Sequence, residues 1–149
     1  MGLHNLPSFR YPVEDVGANT DFHSAGLVFK GSPQSCALFS RCEKYRYYLW
    51  RELETLPKGG RHRVCSFVGL NPSTADESID DPTVRRCIRF AKGWGYTGMY
   101  MLNAFAYRAT DPREMKKQAD PLGPMNRDYL AQMAKVSDLV VVAWGNHCS

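Results

Sequence analysis

The chain has 149 residues, of which 44% are hydrophobic, and this length and composition are typical of one domain that can bury its own core. No apolar run approaches the ~20 residues of a membrane helix, and the N-terminus lacks the apolar segment of a signal peptide, so we expect a cytoplasmic protein without a membrane partner. The net charge of +4 permits contacts with phosphate, but the pI near 8.8 lies below the value of about 9 that marks dedicated nucleic-acid domains.

Cysteines and histidines are scattered along the chain. None of the five cysteines belongs to the close pairs that are typical of metal sites, and the four histidines form no zinc-binding pattern. The sequence therefore predicts free thiols, no metal site and no cofactor.

The first 24 residues are polar and irregular, so residues 1–24 are predicted to form an arm and residues 25–149 a single α/β domain. Three segments with strand-like composition follow at 26–30, 37–40 and 45–53. In the third segment, Arg46 and Arg51 are an odd number of positions apart, which places them on opposite faces of an antiparallel strand.

Three apolar runs in the second half of the chain are predicted to be strands that each end in a polar turn. They cover 63–70, 99–105 and 139–143. Because ligands of α/β proteins bind outside the carboxyl ends of parallel strands, the polar groups after these runs are expected to converge on one crevice.

Helices are predicted between these strands. Asp81 and Pro82 have the form of an N-cap and first residue of a helix that ends near Gly93, Asp111 begins another, and a third covers 124–136. The order of strands and helices predicts right-handed crossovers and a parallel sheet. The fold class is therefore α/β, with antiparallel strands added on the N-terminal side.

The turn after the first apolar run carries groups suited to a substrate. Asn71 can orient a water or bond a base edge through its amide, or it can simply cap the turn. Ser73 and Thr74 offer hydroxyl and backbone N–H groups to phosphate. The nearest carboxylates are those of Asp76, Asp80 and Asp81. One of these is expected to cap the helix, which leaves another for acid or base chemistry.

Arginines and aromatic residues lie close to the same turns. One helix face carries Arg85, Arg86 and Arg89. These form either an ordinary solvated surface or a phosphate site. The second apolar run, 99–105, contains Asn103, a candidate binding residue, and is followed by Tyr107 and Arg108. Arg108 can bind phosphate in a bidentate manner, whereas Tyr107 can either stack on a base or fill the core.

The third apolar run is followed by Trp144, Asn146 and His147, which are further candidates for substrate binding or catalysis. His147 is the only imidazole that is placed for acid or base chemistry at the crevice.

The chain resembles a conserved domain family of bacteria and their phages whose function is unknown. The resemblance covers roughly residues 36 to 147 and is carried by the motifs GLNPSTAD, DDPTVRRC, NAFAYRATDP and VVVAWGNH. Members of that family continue to a His-Pro segment, so this chain is expected either to be truncated at its C-terminus or to use His147 instead.

The strand that ends in Gly69-Leu70-Asn71-Pro72 is also similar to the first active-site motif of the uracil-DNA glycosylase superfamily. This resemblance implies a three-layer sandwich with a mainly parallel central sheet, and it implies that Asn71 positions the water that attacks the sugar. In the mismatch-specific branch of this superfamily the motif reads Gly-Ile-Asn-Pro-Gly, whereas this chain has Ser73 in place of the last Gly. The superfamily's second motif, a late His followed by Pro and Ser, is not found in this sequence.

The predicted function is hydrolysis of an N-glycosidic bond in a nucleotide or nucleic acid, of a DNA glycosylase-like type. Asn71 holds the water, Asp76 or Asp81 supports the sugar cation, and phosphate is bound by Arg85, Arg86 and Arg108. Two alternatives stay open. One is a nucleotide or nucleic-acid binding module without catalysis, and the other is a structural or partner-binding domain whose polar strand ends are only turns.

Overall fold

The computed structural model describes residues 26–144, so the predicted arm, Asn146 and His147 lie outside the described residues. The helices and strands follow the predicted order, with boundaries shifted by at most a few residues. The strands are β1 Leu27–Gly31, β2 Ser35–Ser40, β3 Arg46–Glu52, β4 Val64–Gly69, β5 Gly98–Asn103 and β6 Leu139–Val142. The helices are α1 Pro82–Gly93, α2 Pro112–Lys116 and α3 Asn126–Val136. Within the described part of the chain, none of them is long and apolar enough to cross a membrane.

The six strands form one mixed sheet in the order β1-β2-β3-β5-β4-β6. The α/β class is confirmed, but the expectation of a mainly parallel sheet is wrong, because three of the five strand pairs are antiparallel. Short turns join β1, β2 and β3 into an antiparallel meander, as such connections require. The meander then joins the sheet through β5, which leaves β5, β4 and β6 as its parallel half.

Helices cover both faces of the sheet. Alternate side chains of β4 point to opposite faces, so they pack against different helices. Val64 and Val68 pack on the side of α3, together with Tyr129 of that helix. Cys65 and Phe67 pack on the side of α1, whose core-facing residues follow the predicted stripe: Val84, Cys87 and Ala91. Full burial of such side chains contributes roughly 1.5–3 kcal/mol each, so the two apolar clusters hold the helices on the sheet.

The connections that follow the parallel strands β4 and β5 run over opposite faces of the sheet. After β4 it passes through α1 on one face and returns as β5, and after β5 it passes through α3 on the other face and returns as β6 on the far side of β4. The loops after neighbouring parallel strands therefore diverge and open a crevice between them, which is where α/β proteins bind ligands.

Candidate functional site

A cavity of about 490 Å³ lies at the carboxyl ends of β4, β5 and β6. Its wall includes the turn after β4, Asn103 at the end of β5, Trp144 after β6, and the first residues of α1. The prediction that the three strand ends converge on one crevice is confirmed. The cavity has the size typical of small-molecule sites.

Asn71 braces the turn after β4 and lines the cavity. Its Nδ2 donates to the carbonyl oxygens of Ala109 at 2.8 Å and Pro72 at 3.1 Å, which ties the loop after β4 to the loop after β5. Its carbonyl oxygen Oδ1 accepts no hydrogen bond from the described residues. Asn71 therefore does brace its turn, and it lines the cavity with an amide oxygen that the turn does not use.

Only one of the three candidate carboxylates lines the cavity. Asp81 is the N-cap of α1, as predicted, with Oδ1 accepting from the N–H of Val84 at 2.8 Å, and it is buried against the cavity. Asp80 instead pairs with Arg51, whose Nε lies 2.9 Å from its carboxylate.

Asp76, predicted as a second catalytic carboxylate, does not line the cavity. Its Oδ1 accepts from the N–H groups of Ser78 and Ile79 at 2.9 and 2.8 Å, which closes the turn before α1. Partial burial opposes ionisation of Asp76, but these hydrogen bonds outweigh it and lower the pKa of the carboxyl. The role of Asp76 in this structure is to shape the loop.

Arg51 holds the same loop from the other side. Its guanidinium donates to the carbonyl oxygens of Asp76 at 2.6 Å and Ile79 at 3.3 Å, in addition to its ion pair with Asp80. The side chain is 6% exposed, so these contacts are shielded from water. Arg51 thereby positions the loop that carries the start of α1 and Asp81.

Arg46 is the cavity residue whose role the sequence did not predict. It is only 2% exposed, and it donates to the carbonyl oxygen of Ala75 and to Oδ1 of Asn103, both at 3.0 Å. Nε has no acceptor among the described residues. Burial lowers the pKa of Arg46 to about 10, so the side chain is charged at neutral pH. The sequence carried one indication that Arg46 is buried: the other side chains of its strand are mostly apolar and aromatic.

A second cavity of about 430 Å³ adjoins the first and shares Ser73 and Thr74 with it. Arg108 lines this second cavity, donates to the carbonyl oxygen of Glu43 at 3.1 Å, and stacks 4.8 Å from the ring centre of Phe39. Tyr107 lines it as well. Ser73, Thr74, Tyr107 and Arg108 are thus brought together, as a groove that continues from the main cavity.

Arg85 and Arg86 do not line either of these cavities. With Arg89 they form a separate exposed depression on the outer side of α1. Arg85 donates to the carbonyl oxygen of Asp80 at 2.8 Å. No group of three or more histidine, cysteine, aspartate or glutamate side chains within 26–144 is placed to hold a metal ion.

A family model described as "Protein of unknown function (DUF1643)" matches residues 46–149. No curated protein and no solved structure matches the chain, so no glycosylase is among the matches. The matched segment begins at Arg46 and contains every residue of the main cavity.

Proposed function

The chain belongs to this family of unknown function, and we propose that it hydrolyses N-glycosidic bonds in nucleotides or nucleic acids at the main cavity. One observation carries the proposal. The Nδ2 group of Asn71 is held by two backbone carbonyls, its Oδ1 has no donor among the described residues, and Asn71 lines a cavity that is also lined by Asp81. A positioned acceptor beside a buried carboxylate is what hydrolysis of a glycosidic bond requires.

The two side chains divide the reaction between them. Oδ1 of Asn71 accepts a hydrogen bond from the attacking water and aims its oxygen at C1′ of the sugar. As the C1′–N bond breaks, its electron pair leaves on the base, and Asp81 stabilises the positive charge that develops on the sugar. The water oxygen bonds to C1′, and the proton that it releases is taken up by the departing base. The products are a free base and a sugar with a hydroxyl group at C1′.

The adjoining groove supplies the binding groups. Ser73 and Thr74 contribute hydroxyls, Arg108 contributes a guanidinium for phosphate, and the half-buried ring of Tyr107 and the exposed ring of Trp144 offer surfaces for a base. Arg85 and Arg86 lie outside the cavity, where they can contact only a longer nucleic acid. The helices on both faces and the parallel half of the sheet are consistent with the three-layer, glycosylase-like fold, and they support the proposal.

Release of free base tests this function directly. We expect wild-type protein to release base from at least one member of a panel of deoxynucleotides and single-stranded oligonucleotides, and Asn71→Ala to reduce the rate by about 100-fold or more, the loss typical of removing one preorganised polar group. Arg61→Gln is the control, because Arg61 is exposed and precedes β4 at the opposite end of the sheet. Thermal unfolding checks that Asn71→Ala is folded. A folded Asn71→Ala protein with wild-type rates contradicts the proposal.

A second candidate function is a nucleotide or nucleic-acid binding module without catalysis. Oδ1 of Asp81 is already used as the helix N-cap, and no histidine of residues 26–144 lines the main cavity. Binding that weakens steeply with salt, without release of base from any substrate in the panel, would favour this candidate.

A further inference from the structure

Arg46 and Asn103, which line the main cavity, have hydrogen-bond donors that the described residues do not use. A guanidinium has five N–H donors. In Arg46, one terminal nitrogen donates to the carbonyl oxygen of Ala75 and the other to Oδ1 of Asn103, while Nε–H has no acceptor among the described residues. Oδ1 of Asn103 accepts from Arg46. The other end of the same amide, the donor Nδ2, has no acceptor among residues 26–144. Asn103 is itself held in place, since its backbone carbonyl accepts from Asn126 at 2.9 Å.

These donors belong to a buried cation without a close counterion. No carboxylate of the described residues lies within 4.0 Å of the Arg46 guanidinium, and Asp81 acts on it only over a longer distance. A buried charge that lacks a paired opposite charge destabilises a fold strongly. An anionic ligand in the cavity would supply both the missing charge and the missing acceptors.

We propose that Arg46 and Asn103 form a subsite for the terminal phosphate of a small nucleotide, which enters the main cavity phosphate-first. Guanidinium donors match phosphate oxygens in a bidentate manner, and a wall of donors selects a group that has only acceptors. An internal phosphodiester carries sugars on both sides, so it cannot reach a side chain that is 98% buried, whereas a terminal phosphate can. The identification of the ligand as a nucleotide rests on the proposed function.

Calorimetric titration tests the subsite without requiring turnover. The probes are the four 2′-deoxynucleosides, their 5′-monophosphates, and dinucleoside monophosphates whose only phosphate is internal. We expect at least one 5′-monophosphate to bind about tenfold or more tightly than its nucleoside, because the phosphate adds a charge-assisted hydrogen bond, and we expect the dinucleoside monophosphates to show no such gain. Equal affinities for nucleoside and monophosphate, equally tight dinucleotides, or no binding of any monophosphate would overturn the proposal.

Two variants assign the effect to these side chains. Arg46→Met removes the charge and fills a similar volume, so it is expected to fold, because well-packed apolar side chains commonly replace buried charges without loss of stability. Asn103→Asp places a carboxylate against Arg46 and repels phosphate. Each is expected to reduce the tenfold preference to about one, while Arg61→Gln keeps it. A folded Arg46→Met protein that retains the preference refutes the assignment, and Asn103→Asp decides the matter if Arg46→Met does not fold.

The outcome is separable from that of the proposed function. If wild-type protein binds the monophosphate through Arg46 but releases no base, hydrolysis fails and the subsite stands. If base is released equally well from nucleosides and monophosphates, hydrolysis stands and the subsite fails.

Discussion

Asp81 serves the fold and the cavity with one side chain. Its Oδ1 satisfies the N–H of Val84 at the start of α1, where an unpaired donor would otherwise be buried. Its negative charge also acts on Arg46, which is deeply buried in the same wall. The cap therefore fixes the position of the only one of the three candidate carboxylates that lines the cavity.

The two roles of Asp81 can be separated by substitution. Asparagine caps helices about as well as aspartate, so Asp81→Asn is expected to unfold in urea with a free energy within about 0.5 kcal/mol of wild type, whereas Asp81→Ala loses about 1 kcal/mol. Both variants lack the negative charge, so both are expected to lose release of base. An Asp81→Asn protein with wild-type activity would exclude the carboxylate from the reaction, and equal stability of the two variants would exclude the cap.

At the scale of elements, the loop between β4 and α1 is held by two charged side chains that contact residues 76–79. Arg51 donates to its backbone carbonyls, and the carboxylate of Asp76 accepts from two of its N–H groups. A loop with this many internal partners has a defined shape without a strand or helix of its own. It positions Asp81 through backbone contacts that involve no ligand.

The Asp76 turn predicts a measurable dependence of stability on pH. The pKa of Asp76 is lowered below the ordinary value of 3.8 in the folded protein, so its contribution is present above the unfolded-state pKa and is lost as the pH falls through the folded-state pKa. In Asp76→Asn the side-chain oxygen still accepts from Ser78 and Ile79 but carries no charge. We therefore expect wild type to lose more unfolding free energy than Asp76→Asn between about pH 5 and pH 3 in urea titrations. Parallel pH profiles for the two proteins would contradict this origin.

At the scale of the whole molecule, local patterns predicted the elements and non-local pairing decided the site. The stripe of α1 and the Asp81 cap follow from spacing within one segment, so they could be predicted. The contact of Arg46 with Asn103 depends on β3 lying antiparallel beside β5, with Leu49 opposite Met101. The prediction that Arg46 and Arg51 lie on opposite faces of β3 is wrong, because the pairing of β2 with β3 shifts register beside Arg46, and both guanidiniums donate to the loop after β4, at Ala75 and Asp76. No local pattern states where such a shift falls or which strands pair, so Arg46 was not placed in the cavity.

Both sides of the sheet also bury groups that ionise at high pH. Burial raises the pKa of Cys36 and Tyr47, in the cluster next to α3, to about 12, and the pKa of Cys65 and Cys87, next to α1, to about 11. In the unfolded chain a cysteine titrates near 9.0 and a tyrosine near 10.0. The folded state therefore favours the neutral form of each group.

This difference predicts an alkaline limit to stability. Because each folded-state pKa lies above the unfolded value, the contribution is fully present below about pH 9 and is lost as the pH rises towards about 11 to 12. We expect the urea midpoint to fall steadily from about pH 9 upward, and less steeply in Cys65→Ala, which removes one of the buried thiols. Cys42→Ala is the matched control, because that thiol is exposed and its pKa is lowered by hydrogen bonding to Ser40, so the substitution should leave the decline at least as steep as in wild type. A midpoint that stays constant to about pH 11 would show that the buried thiols and phenols do not set this limit.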